Sequence, residues 1–175
     1  MITPDYAQVM ARYNSWQNHQ IAVAMAALSP AELFADRGAF FGSLLKTASH
    51  LLWGDLIWMS RFEGGVAPEG GIAHSTSLVG NLAEWQVQRM ALDARIECWA
   101  EGLTPDDMAG DLTWYSGASG REMSKPKALL YIHMFNHQTH HRGQIHAMLT
   151  AAGQRPGDTD MPFGPDLMRD LKPAT

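Results

Sequence analysis

The chain has 175 residues, a formal net charge of −5 and a hydrophobic content of 46%. This length suits one domain with its own apolar core, and the composition is the reverse of the polar, highly charged pattern of disordered chains. The densest basic cluster, between Arg121 and Lys127, holds three positive charges and one negative. Nucleic acid is therefore a poor candidate partner, because such proteins need a basic face that neutralises phosphates.

Cysteine usage and hydropathy indicate the cellular setting. The single cysteine, Cys98, cannot form an internal disulfide, and its place in a predicted helix favours a small buried hydrophobe over a reactive thiol. Residues 1–6 lack the basic start and apolar run of a signal peptide, and no stretch approaches the roughly 18 apolar residues of a membrane span. We expect a cytoplasmic protein with one domain over residues 1–175 and no membrane partner.

Cap and breaker residues predict four long helices. Thr3-Pro4 opens the first, and Gly102 with Pro105 closes the third. Ser29-Pro30 begins a short helical connector after the first helix. The predicted helices cover about residues 3–28, 39–62 and 78–101, and the fourth opens near residues 124–126 and runs to about residue 152.

The segment between the third and fourth helices has a different pattern. Leu112-Thr-Trp-Tyr115 has strand character, and residues 116–120 are typical of a turn. The predicted fold class is therefore all-α, an antiparallel four-helix bundle with a small irregular or hairpin crossover between helices 3 and 4. The tail, residues 154–175, holds four Pro and two Gly. We expect it to pack over the bundle, with a short helix at residues 165–171.

Histidines are concentrated in the fourth predicted helix. Five of the eight fall within fourteen residues: His133, His137, His140, His141 and His146. Side chains at i and i+4 share one helix face, so both His133/His137 and His137/His141 have a spacing suited to a metal ion.

A helical wheel separates these two pairs. At about 100° per residue, the apolar sector of this helix lies beside His137 and His141, whereas His133 and His140 turn outward and His146 turns away. The wheel therefore favours His137 and His141. A third ligand should come from a neighbouring helix, and His50 is the best candidate because Leu51, Leu52 and Trp53 follow it in an apolar stretch.

Other roles for these histidines stay open. A lone buried histidine such as His50 is usually a hydrogen-bonded core residue, and an isolated His-x₃-His pair is weak evidence for metal. The two features together favour a metal site. Gln144 falls close to the ligand face of the fourth helix, and Asn14 and Asn18 are further candidates to orient the imidazoles. Ordinary interhelix hydrogen bonds, or capping and surface roles, are equally good explanations for these three.

Several motifs along the chain are together characteristic of one protein family. The string His137-Gln-Thr-His140-His141-Arg142-Gly143-Gln144 contains the family's His-x₃-His-Arg-Gly-Gln core. His50 precedes an aromatic stretch from Trp53 to Trp58. Tyr13-Asn14-Ser-Trp16-Gln-Asn18 in the first helix and Ala152-Gly153 to Asp160-x-Pro162 in the tail match as well. With these motifs the chain resembles the DinB family of metal-binding four-helix bundles, and the resemblance spans nearly the whole chain.

The resemblance carries its own expectations. It implies that His50, His137 and His141 bind a divalent metal ion, with water completing the shell, and that the protein forms a homodimer. The family name refers to damage-inducible expression, which implies a stress response rather than DNA binding. Imidazole ligands suit Zn or Ni, with Fe, Mn and Cu as alternatives. We expect an ion-pair role for Arg142 and close helix packing at Gly143.

The expected function is that of a metalloenzyme. A three-histidine site with open positions is of the catalytic type. Relatives of this bundle include metal-dependent transferases and isomerases that use a low-molecular-weight thiol, which implies thiol transfer to a small electrophilic substrate. The alternatives are metal-assisted hydrolysis, with water in place of the thiol, and a non-catalytic protein that binds metal or a stress ligand.

Overall fold

The computed structural model describes residues 2–171. Within them, the main elements are five α-helices and one two-stranded hairpin. In chain order these are α1 (Pro4–Ala26), α2 (Pro30–Phe34), α3 (Leu44–Glu63), α4 (Leu82–Gly102), β1 (Asp111–Ser116), β2 (Arg121–Pro126) and α5 (Lys127–Ala151). Short 3₁₀ helices lie at Ile72–Ser77, Pro105–Met108 and Met161–Phe163. The protein is thus mainly helical with four long helices, and the all-α prediction is too simple because the crossover forms a true antiparallel hairpin.

Side-chain caps set where the helices begin. The Thr3 hydroxyl accepts a hydrogen bond from the Tyr6 amide (3.3 Å), and Asn81 caps α4 by accepting from the Glu84 amide (2.9 Å). Ser43 caps α3 in the same way. Helix α3 therefore begins five residues later than predicted, because residues 39–42 form a tight turn before the cap.

Two neighbouring helix pairs run antiparallel. His50, early in α3, lies with its ring centroid 4.8 Å from that of His141, late in α5, and the later Trp58 lies 5.1 Å from the earlier His133. Likewise, Arg12 of α1 lies 3.6 Å from Glu101 at the end of α4. Helix α3 is therefore antiparallel to α5, and α1 is antiparallel to α4.

The other two neighbouring pairs run parallel. Tyr6 of α1 packs on Phe135 of α5, with ring centroids 6.1 Å apart, and further along both helices Arg142 donates to Asn14. In the α3–α4 pair, the Trp85 indole donates to the Ala48 carbonyl (3.0 Å) near both helix starts. Phe62 stacks on Trp99 near both ends. The predicted antiparallel packing therefore holds for only two of the four neighbouring pairs, and residues 64–81 return along the length of the bundle.

A buried polar network crosses the core between the helices. Arg89 of α4 contacts Asp55 of α3 (2.6 Å) and Asp93 of its own helix (2.8 Å). Asn14 of α1 donates to Asp93 (3.3 Å) and accepts from Arg142 of α5. All five side chains are at least 95% buried. The two carboxylates and two guanidiniums cancel in charge, which is a condition for burying them at all.

The hairpin and the tail pack on the outside of the bundle. Trp114 lies on the inward face of β1 and contacts Trp58, with ring centroids 5.6 Å apart. In the tail, the Asp158 and Thr159 carbonyls accept hydrogen bonds from α1 side chains. The predicted helix at residues 165–171 is wrong, because residues 167–170 form a turn; residues 172–175 lie outside the described part. No helix among residues 2–171 is long and apolar enough to cross a membrane.

Candidate metal centre

Three histidines from two helices converge where α3 packs against α5. Each of His50, His137 and His141 offers one nitrogen atom, and these atoms all lie within 4.8 Å of one another. The ring centroids are 4.4 Å apart for the His137/His141 pair and 5.4 Å apart for His50 and His137. The structure thus brings together the three residues that the sequence singled out, and His133 is not a member of the cluster.

The ring of His50 is oriented by Ser75, which lies in the 3₁₀ helix Ile72–Ser77. Its Nδ1 lies 2.8 Å from the Ser75 hydroxyl oxygen, and that hydroxyl donates its own proton to the Ile72 carbonyl (2.7 Å). The hydroxyl must therefore accept from the Nδ1–H of His50, which leaves the Nε2 lone pair free. Sequence reasoning missed Ser75, because only the return of residues 64–81 along α3 brings it to His50.

The ring of His141 is oriented from within its own helix. Its Nδ1 lies 2.9 Å from Gln144 Oε1, an atom that can only accept, so the proton is on Nδ1 and the Nε2 lone pair is free. The Gln144 amide nitrogen lies 3.2 Å from Nε2 of His140 and donates to it, which is consistent with this orientation. Metal-binding histidines characteristically have such partners on their second nitrogen.

The ring of His137 occupies space that a glycine leaves open. A Cβ added to Gly54 of α3 would lie 2.8 Å from His137 Cε1, closer than real Cβ contacts allow. The predicted packing role of Gly143 is wrong, since it is exposed and a Cβ there would meet nothing within 4 Å. Sequence reasoning missed Gly54. The available signal was a glycine inside an apolar helix, which usually marks close contact with a neighbouring element.

Aromatic side chains close one side of the cluster. Phe41, in the turn before α3, lies with its ring centroid 4.1 Å from His50 and 5.5 Å from His141. Trp53 stacks beside His50 at 6.3 Å. These rings exclude water from that side and leave the imidazoles in an apolar setting, which strengthens any interaction with a cation.

Burial keeps the three imidazoles neutral. Desolvation, together with repulsion from the neighbouring histidines, lowers the pKa of His50 to about 4 and that of His137 to about 3. Desolvation also lowers the pKa of His141. All three rings are therefore unprotonated near neutral pH and present lone pairs rather than positive charges.

Other candidate residues lie away from the rings. Asn14 and Asn18 hydrogen-bond to Asp93 rather than to a histidine. The ion pair expected for Arg142 is absent among residues 2–171, where it bonds to neutral oxygens of Asn14 and Thr139. The prediction that Cys98 is buried is wrong, because it lies on the exposed face of α4.

The donor set fits a divalent metal ion. The Nδ1–H groups of His50 and His141 already donate hydrogen bonds. The Nδ1 of His137, in contrast, is buried and has no hydrogen-bond partner among the described residues. A buried polar atom without a partner is uncommon and calls for an explanation such as an ion. Neutral imidazole nitrogens at this separation are ligands that such an ion prefers.

The model of the DinB family matches residues 1–171, nearly the whole chain. The chain belongs to the DinB family. It is also similar to Protein DinB of Bacillus subtilis (strain 168), with 28% identity over 159 residues that cover 89% of this chain and 91% of that protein. The resemblance seen in the sequence motifs is thereby confirmed, and the histidine cluster of this DinB-family chain is compatible with metal binding.

Proposed function

We propose that this DinB-family protein is a metalloenzyme that binds one divalent metal ion through His50, His137 and His141. The observation that carries the proposal is the convergence of three neutral imidazoles, two of them buried and that of His137 half-buried, within 4.8 Å of one another. We propose Zn or Ni as the metal, with Fe, Mn or Cu as alternatives, because imidazole nitrogen suits all of them better than it suits Mg or Ca.

The proposed reaction is transfer of a low-molecular-weight thiol to a small electrophilic substrate. A divalent ion held by three protein ligands has open positions and lowers the pKa of a bound thiol or water. Ser75 and Gln144 keep the ligand rings in the correct tautomer, and Phe41 keeps water from one side. The thiol, rather than water, is supported by the resemblance to thiol-using relatives. From the same resemblance we propose a homodimer, which light scattering on the purified protein tests.

The ligand set is tested by elemental analysis of purified protein and alanine variants. Wild type should hold one metal ion per chain, and His50→Ala, His137→Ala and His141→Ala should each lose it. The matched control is His133→Ala, on the same helix and one turn from His137, which should keep the full content. Stoichiometric metal in His137→Ala would overturn the proposal.

The reaction is tested with the metal-loaded protein on a panel of electrophiles. Consumption of electrophile that requires an added thiol, and that His141→Ala lacks, supports transfer. Turnover without thiol would show a hydrolase instead. Tight metal binding with no turnover in either assay would show a binding protein.

A further inference from the structure

Arg61, in the last turn of α3, is stacked between two tryptophans. Its guanidinium carbon lies 4.5 Å from the centroid of the Trp58 ring and 5.4 Å from that of Trp114 on the hairpin. A guanidinium packed on aromatic faces is held in place and keeps its N–H edges available for other partners. Contact with two rings from separate elements thus holds the group in a defined position.

The charge of Arg61 has no partner within the described residues. Among residues 2–171, no carboxylate lies within 4 Å of it and its guanidinium makes no hydrogen bond, whereas nearby Arg95 pairs with Glu63 at 2.6 Å. Arg61 is half-buried, and desolvation lowers its pKa without an opposing contribution from an acidic neighbour. Such a group is suited to an oxyanion, because the planar fork matches a carboxylate with two parallel hydrogen bonds.

The stacked arginine lies along the same α3–α5 interface as the histidine cluster. Trp58 contacts His133 edge-on, with centroids 5.1 Å apart, and His133 lies 5.9 Å from His137. Trp58 follows His50 by eight residues of α3, which is about 12 Å of helix, and the Arg61 guanidinium lies over the Trp58 ring. A molecule with one end at the cluster can therefore reach Arg61 with an extended chain of medium length.

We propose that Arg61 binds the carboxylate of a small acidic thiol or substrate whose reactive atom lies at the histidine cluster. This inference rests on the proposed metal site and names the chemical class that the site takes. Trp58 and Trp114 hold the guanidinium, and His133 forms the wall between it and the cluster. Neutral thiols of equal length lack the group that Arg61 recognises.

A series of simple thiols tests this distance and charge requirement. The probes are ω-mercapto acids of three, six, eight and eleven carbons and the matching ω-mercapto alcohols, titrated calorimetrically into metal-loaded protein. We expect the eight-carbon acid to bind about tenfold more tightly than its alcohol, and the three-carbon pair to show no difference. A uniform preference for acids at every length would overturn the proposal.

Variants assign the preference to Arg61. Arg61→Gln should abolish it and Arg61→Lys should retain part of it, because lysine keeps the charge but loses the fork. Arg95→Gln is the matched control, since it removes the same charge from a partly exposed ion pair and should bind like wild type. An undiminished preference in Arg61→Gln would disprove the assignment.

The two proposals fail in different ways. Metal content and binding of the alcohols report on the histidine site, so normal values with no preference for acids would reject Arg61 alone. If no thiol binds, the proposed function fails. In that case the carboxylate site at Arg61 is tested separately, by titrating the same protein with octanoate and following tryptophan fluorescence. A response that Arg61→Gln lacks supports the carboxylate site, and the absence of any response rejects it.

Discussion

Gly54 of α3 and His137 of α5 are in direct contact across the helix interface. A methyl group at Gly54 would lie 2.8 Å from His137 Cε1 and 3.2 Å from its Nδ1. The position of this imidazole therefore depends on the absence of a side chain at Gly54 on the facing helix. The next residue of that helix, Asp55, belongs to the buried network.

Replacing Gly54 by alanine should move the His137 ring and weaken metal binding at least tenfold, comparable to the loss of a supporting contact at a metal site. The control is Gly143→Ala, beside the ligands on α5, where an added Cβ meets nothing within 4 Å. Gly143→Ala should bind metal normally and be more stable by about 0.5–1 kcal/mol, because alanine favours the helix. Competition with a metal indicator measures the affinities, and equal affinities for the two variants would refute this account.

The hydroxyl of Ser75 should matter to the metal although it does not touch it. Ser75→Ala removes the acceptor that holds the Nδ1–H of His50, and metal affinity should fall about 10- to 100-fold. Ser77→Ala, in the same 3₁₀ helix, removes an exposed hydroxyl that bonds to the His74 carbonyl. The Ser77→Ala variant should bind metal with unchanged affinity. A comparable loss in both variants would show that the fold of residues 72–77, rather than the hydrogen bond between Ser75 and His50, determines the affinity.

The buried network should contribute strongly to stability. Arg89→Met leaves Asp55 and Asp93 buried without their cation, and the free energy of unfolding should fall by about 3–5 kcal/mol. Arg95→Gln breaks the partly exposed pair with Glu63 and should cost about 1 kcal/mol or less. Urea denaturation of the two variants gives both values, and a cost for Arg89→Met no larger than that for Arg95→Gln would contradict the role of the network.

Metal should be retained in mild acid. A histidine binds metal only when neutral, and the pKa values of about 4 for His50 and about 3 for His137 lie below the ordinary 6.5. Acidification therefore protonates these rings later than exposed ones, so metal should stay bound at pH 6 and leave as the pH falls toward 4. The control is a peptide of residues 133–146, whose exposed histidines should release metal near pH 6.5. Metal content after dialysis at a series of pH values measures the release. Half-release from the protein at pH 6 or above would contradict the prediction.

Local signals in the sequence predicted most helix positions and missed what depends on neighbours. The start of the first helix at Thr3-Pro4 and the strand character of Leu112 to Tyr115 depend on short-range geometry, and α1 and the hairpin form there. The start of α3 was misplaced because the apolar pattern extends through residues 39–42, which instead turn back before Ser43. Cys98 was predicted to be buried because a lone cysteine in a helix usually behaves as a small hydrophobe, and only packing between helices decides which face is buried.

The sequence by itself determined that His137 and His141 share one face of a helix at the edge of its apolar sector, because that relation follows from helical geometry alone. It also identified the DinB family. Only the tertiary structure decided that His50 reaches the same point, that α3 lies parallel to α4, and that Gly54 and Ser75 position the rings. These relations join residues far apart in the chain, and they arise from packing between helices, which no local pattern encodes.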